Sequence, residues 1–153
     1  MKLSDEEVER LRRSGIRLDA EGRFIHEGEE VRHAGLRAAL WRWLDRLPDG
    51  RYVLRLDAER FVYLDVDDAP HVVRSLRWDG GRAILRLADD SEEALRPETV
   101  RLAPSGRAYC EVKGRFAARF SSAAWAALAD HIEERDGAGY LVTDGATVRL
   151  GTL

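Results

Sequence analysis

The apolar positions of this chain fall into short alternating runs set between turn residues, with two longer stretches of helical period among them. Ile16 to Leu18 and Phe24 to His26 flank Ala20-Glu21-Gly22 and predict a hairpin. Leu36, Leu40, Trp43 and Leu47 then recur on one helical face, with Ala39 and Leu44 beside it, until Pro48-Asp49-Gly50 stops the run. Four strand-like segments follow: Tyr52 to Leu56, Phe61 to Val66, Val72 to Trp78 and Ala83 to Leu87, the last two joined by the tight turn Asp79-Gly80-Gly81. Strands resume at Thr99 to Leu102, Ala108 to Val112 and Arg115 to Phe120. Ser121 is the natural N-cap of a second helix, whose face carries Trp125, Leu128, Ala129 and Ile132. Gly139 to Thr143 and Ala146 to Leu150 close the chain through Asp144-Gly145. Upstream, Ser4-Asp5-Glu6-Glu7 is a capping box, Leu3 and Val8 stand where a hydrophobic staple packs, and Gly15 ends a helix over residues 5 to 14 with only Val8 and Leu11 to bury. This is an α+β pattern dominated by antiparallel sheet.

Part of the pattern occurs twice. Residues 16 to 47 laid over residues 100 to 131 give nine identities, Trp41/Trp125 and Gly22/Gly106 among them, where about three are expected by accident in so Ala-, Arg- and Leu-rich a chain. Four residues late in register, Tyr140-Leu141-Val142 answers Tyr52-Val53-Leu54. The expected architecture is therefore a pair of duplicated sheet-plus-helix units: an N-terminal helix over 1–15, a first α+β unit with a central hairpin over 16–88, and a second unit over 98–153. The acidic run Asp89-Asp90-Ser91-Glu92-Glu93 reads as a solvated loop or linker between them.

Composition narrows the function classes. Of 25 basic residues only Lys2 and Lys113 are lysine, and the net charge of −3 lacks the basic footprint of a nucleic-acid binder. A single Cys110 excludes an intramolecular disulfide. With no apolar run of about eighteen residues and no signal-peptide core, the expectation is a cytoplasmic protein without a membrane segment. His26, His33, His71 and His131 make no zinc spacing, and Asp65-Val66-Asp67-Asp68 lacks the Gly and the distant Glu of a calcium loop, so neither metal nor cofactor is expected. Cys110 alternates in phase with Ala108 and Val112 and reads as a core thiol rather than a nucleophile. Phased the other way, Tyr109, Glu111, Lys113 and Arg115 share a face. That face is either an ordinary solvated surface or an anion-receptive one, in which Lys113 and Arg115 take charge while the Tyr109 ring stacks.

Phe24-Ile25-His26-Glu27-Gly28, Asp49 to Leu54, Val66-Asp67-Asp68-Ala69-Pro70, and Tyr109 to Gly114 followed by Phe116-Ala117-Ala118-Arg119 resemble, in the same order, the bacterial family catalogued as domain of unknown function 1285. The Asp-Ala-Pro tripeptide is the most specific element. His71 stands where that pattern has an aromatic, and Trp125 where it has a Phe-Tyr pair. The resemblance implies a duplicated α+β fold with a pleckstrin-homology-like second half, and a groove between the halves holding a nucleotide-like ligand in signal transduction. It marks His26, Asp68, Pro70, Tyr109, Lys113 and Gly114, beside which His71 and Arg115 complete the candidate ligand-binding set. Asp68 also fits a plain strand-terminating role.

Three function classes follow. A non-enzymatic regulatory protein binding a small anionic, nucleotide-like ligand between its halves is favoured by the duplication and the Lys113/Arg115 face. A protein-interaction domain without a small ligand is favoured by Trp41, which lies towards the edge of its helix's apolar stripe and could anchor a partner. An enzyme is disfavoured, because no nucleophile, base and orienting group assemble from the chain.

Overall fold

The structure is a computed structural model describing residues 4–152. The chain forms two compact units that meet in sequence between Asp68 and Ala69.

The first unit comprises α1 (Asp5–Leu11), β1 (Arg13–Leu18), β2 (Phe24–His26), β3 (Glu29–Glu30), α2 (Ala34–Trp43), β4 (Leu44–Arg46), β5 (Tyr52–Arg55) and β6 (Phe61–Val66). Its six strands make one sheet in the order β3-β2-β1-β6-β5-β4, closed at the centre by a parallel pairing of β1 with β6. The core is Leu18, Phe24, Leu40, Leu44, Leu54 and Leu64, with Trp41 and Trp43 packed against it.

The capping box forms: the Glu7 N–H donates to Ser4 Oγ at 3.2 Å and the Ser4 N–H to the Glu7 carboxylate at 3.4 Å. The staple partner Leu3 and the Leu11 side chain lie outside the described residues and side chains. The helix is shorter than expected, and Gly15 (φ +70°) bends β1 instead of ending α1. The second predicted helix is also trimmed. His33 caps it, its Nδ1 accepting the Leu36 N–H at 3.1 Å, and Leu36, expected in the core, is 45% exposed. At the other end the chain turns extended at Leu44, where pairing with β5 sets Leu44 opposite Leu54 and Asp45 within 2.9 Å of the Arg55 guanidinium. Tertiary pairing outweighs the weak helical preference there.

The second unit comprises β7 (His71–Asp79), β8 (Arg82–Leu87), β9 (Glu92–Ala94), a 3-10 turn (Pro97–Thr99), β10 (Arg101–Leu102), β11 (Ala108–Val112), β12 (Phe116–Phe120), α3 (Ser122–Ala129), β13 (Ile132–Arg135), β14 (Ala138–Thr143), β15 (Ala146–Arg149) and β16 (Gly151–Thr152). One sheet runs β16-β10-β11-β12-β7-β8-β9 and a second β13-β14-β15. The hairpin of β7 and β8, expected in the first unit, belongs to the second because β7 pairs in parallel with β12 through Ala118 and His71. The acidic run is not a linker either: it turns into β9, which pairs back on β8. Ile132, expected on the helix face, opens β13.

The duplication is visible in the ladders. Arg17 faces Ile25 and Leu18 faces Phe24; 84 positions on, Arg101 faces Tyr109 and Leu102 faces Ala108. The turns match as well, with Asp19 N–H donating to Arg23 O at 2.9 Å and Ala103 N–H to Arg107 O at 2.8 Å. Even the parallel closures correspond, Arg17 with Asp65 and Arg101 with Gly151. The register slips where the hairpins differ. The β2–β3 hairpin turns at Glu27-Gly28 and β11–β12 runs on to Lys113-Gly114, all four with positive φ. The N-caps His33 and Ser121 are consequently 88 positions apart. Leu40 and Leu128 are the equivalent buried leucines, while Trp41 and Trp125, expected to be equivalent, sit one helical turn apart.

Candidate functional site

The bend in β1 opens a cleft beside β6. β1 and β6 pair at Arg13 with Tyr63 and again at Arg17 with Asp65, so four residues of β1 span two of β6 and the surplus bulges out at Ser14, Gly15 and Ile16. Ser14 stitches the bulge, its Oγ donating to Tyr63 O at 2.7 Å and accepting the Ile16 N–H at 3.0 Å. The resulting cleft of about 670 Å³ is lined by Arg13, Ser14, Gly15, Arg51, Tyr52, Tyr63, Leu64, Asp65 and Val66. It lies wholly within the first unit.

Two of the lining side chains, Arg51 and Tyr63, are engaged with neighbours. Arg51 Nε sits 2.9 Å from Asp49 Oδ2, and its guanidinium lies 4.4 Å from the Tyr63 ring centroid. The Tyr63 hydroxyl donates to the Glu9 carboxylate at 2.8 Å. Arg12 covers the neighbouring Phe61 ring at 3.8 Å. Among the described residues the Arg13 side chain has neither ion pair nor hydrogen bond, and the same holds for the Asp65 carboxylate. Asp67, two residues further, is held by Arg17 at 2.9 Å.

The residues singled out from the sequence are distributed differently. His26 and Asp68 belong to the first unit. His26 is exposed at the end of β2, where a Cβ added to Gly15 would come within 3.9 Å of its ring; Asp68 is half-buried beyond β6. His71, Tyr109, Lys113 and Arg115 belong to the second. Lys113 leaves the strand alternation, because it occupies the left-handed turn (φ +53°) rather than continuing the face of Tyr109 and Glu111. Its ammonium is engaged: Nζ lies 2.9 Å from Asp89 Oδ2 and 3.1 Å from Ser91 Oγ, while its own N–H donates to the Glu93 carboxylate at 3.0 Å. The Arg115 guanidinium lies 4.4 Å from the Phe116 ring.

His71 is 2% exposed, with Phe116 5.4 Å away ring to ring. Burial pushes its pKa down to about 4, the nearby Asp89 charge opposing and the Lys113 charge assisting. It is a neutral core residue at physiological pH. Cys110 is 3% exposed and burial raises its thiol to about 12. Such a thiol stays protonated and unreactive. Trp41, offered as an anchor for a partner, packs edge-on against Phe24 at 4.7 Å and is partly buried at the core periphery. Among the described residues no three His, Cys, Asp or Glu side chains gather as a metal ion needs, and no helix is long and apolar enough to cross a membrane.

Arg13, Ser14, Arg51, Tyr52, Tyr63 and Asp65, which line this cleft, are not among the residues singled out from the sequence. Gly15 was the available signal: it stands between a helix and an alternating run, and a bulge uses a left-handed glycine as readily as a helix end does.

The fold defines a duplicated α+β protein in which the second copy is preceded by three further strands, β7, β8 and β9, that join its sheet. No family model matches the chain, and no curated protein matches it. Two solved structures share the fold. A DUF1285 family protein from Silicibacter pomeroyi DSS-3 superposes with a TM-score of 0.76, at 19% identity, over 92% of this chain and 81% of that one. A second, from Shewanella baltica OS155, gives a TM-score of 0.64 at 13% identity over 78% of this chain and 93% of its own. The duplicated α+β fold implied by the sequence resemblance is thus shared with these two DUF1285 family proteins.

Proposed function

We propose that the chain is a member of the DUF1285 family and a non-enzymatic regulatory module that binds a small anionic, nucleotide-like ligand, with the first unit's cleft as the binding place. One observation carries the reading: Arg13 lines a cleft of about 670 Å³ with its guanidinium unpaired among the described residues, beside Arg51, which pairs with Asp49 and lies over the Tyr63 ring. A free guanidinium is the strongest phosphate donor a side chain offers, and the cleft falls in the range of about 300–1,000 Å³ typical of small-molecule sites. Tyr52 and Leu64 supply aromatic and apolar surface for a base or sugar. Lys113, the donor expected from the sequence, is already neutralised by Asp89 and has little to give an anion. The competing interaction-domain reading rested on Trp41, whose packing on Phe24 gives it no support.

Titration calorimetry with the four common nucleoside monophosphates tests the reading. Binding is expected for the unmodified protein, and Arg13→Ala should weaken it about tenfold, the scale of a lost charged hydrogen bond, without lowering Tm. No heat and no thermal shift with any nucleotide at millimolar concentration would overturn it.

A further inference from the structure

We propose that Asp65 reads the base of this ligand and selects guanine; the inference rests on the nucleotide reading above. Among the described residues Asp65 is the only carboxylate lining the cleft, and it is exposed there with neither an ion pair nor a hydrogen bond. That is unexpected, because cations surround it. The β1–β6 register sets Arg17 beside it, yet Arg17 pairs with Asp67 at 2.9 Å. The β5–β6 register, Val53 against Tyr63 carried one pleat further, brings Arg51 alongside, yet Arg51 is turned onto Asp49. Both neighbouring guanidinium groups are thus committed elsewhere, and among the described residues the Asp65 carboxylate lines the cleft without a partner.

An ionised carboxylate accepts hydrogen bonds and cannot donate them. It repels a phosphate, so the phosphate end of a ligand goes to Arg13 and the other end meets Asp65. What meets it must present donors. Guanine alone among the common bases carries two adjacent donors on one edge, N1–H and the 2-amino group, spaced to meet both oxygens of one carboxylate. Adenine and cytosine set an acceptor ring nitrogen beside their single amine, and uracil flanks its N–H with carbonyls. Two donors meeting one carboxylate make a paired, charge-assisted hydrogen bond that a base with a single donor cannot match.

The test compares GMP, IMP and AMP by calorimetry on the unmodified protein and on Asp65→Asn, whose fold is checked by circular dichroism. IMP differs from GMP only by lacking the 2-amino group. GMP is expected to bind at least tenfold more tightly than IMP or AMP, and Asp65→Asn should bring GMP down to the IMP level while leaving AMP unchanged. Equal affinity for GMP, IMP and AMP, or a GMP affinity indifferent to Asp65→Asn, would overturn the guanine assignment and leave the nucleotide reading standing. Absence of binding by all three and by the pyrimidine nucleotides overturns both.

Discussion

Asp89 and Lys113 bind each other at 2.9 Å across two turns of the second unit, the one between β8 and β9 and the one between β11 and β12. Ser91 donates to Asp89 and lies in reach of the same ammonium, and the Glu93 carboxylate takes the Lys113 N–H, so the acidic run closes one hairpin onto the other. Burial alone would raise the Asp89 pKa, but the hydrogen bonds from Ser91 and Lys113 hold it below the ordinary carboxylate range.

Lys113→Met should therefore destabilise the protein by about 1 kcal/mol, since it strands a half-buried carboxylate but removes a pair whose lysine is partly solvated. Nucleotide affinity should not change. Chemical denaturation followed by fluorescence measures the first quantity and calorimetry the second; a loss of binding at unaltered stability would restore Lys113 to the ligand site.

His71 gives stability a definite pH dependence. The folded pKa of about 4 lies below the ordinary value near 6.5, so the unfolded chain takes up a proton that the folded chain refuses. The contribution is complete above about pH 6.5 and is lost as pH falls towards 4, by up to about 3 kcal/mol. His71→Phe, which places an aromatic there, should flatten the stability curve between pH 6.5 and 4. An unchanged slope in denaturant titrations across that interval would refute the assignment.

Asp19 should be the most costly surface-turn residue to lose. Its Oδ1 accepts the Glu21 and Arg23 N–H groups at 3.0 and 2.8 Å, Oδ2 accepts Arg23 Nε at 2.7 Å, and the side chain is all but buried. Asp19→Ala is expected to cost about 2 kcal/mol, because several donors lose one acceptor together. Asp57, which clips Arg60 in the same manner but in solvent, should cost less on the same substitution.

Cys110 should be silent to thiol reagents in the native protein at pH 8 and react fully once the protein is denatured. A native reaction at the rate of a free thiol would contradict both its burial and its raised pKa.

The repeat was legible because strand ladders preserve register: the pairs Arg17/Ile25 and Arg101/Tyr109 keep the 84-residue spacing found in the sequence. It misled at the tryptophans, since the longer second hairpin moves α3 by one turn and ungapped identity pairs Trp125 with the wrong position. Local caps read correctly at Ser4 and Ser121, where the hydrogen bonds are between neighbours in sequence. Leu44 and Glu92 to Ala94 became strands through pairing with β5 and β8, distant information that periodicity does not hold. The cleft was illegible for the same reason, being made by a bulge whose depth depends on where β6 pairs again with β1.

The parallel pairing of β12 with β7 settles a hazard that the first unit meets in another way. Where the first unit ends its sheet in β3, the edge is two glutamates long, too short and too charged to recruit a neighbour. The corresponding strand of the second unit, Phe116-Ala117-Ala118-Arg119-Phe120, is longer and mostly apolar, and only the covering β7 keeps it from templating intermolecular sheet. The edge of β12 is therefore covered only while the β7–β8 hairpin stays docked, and the Lys113–Asp89 pair ties the turn that follows β8 to the turn between β11 and β12.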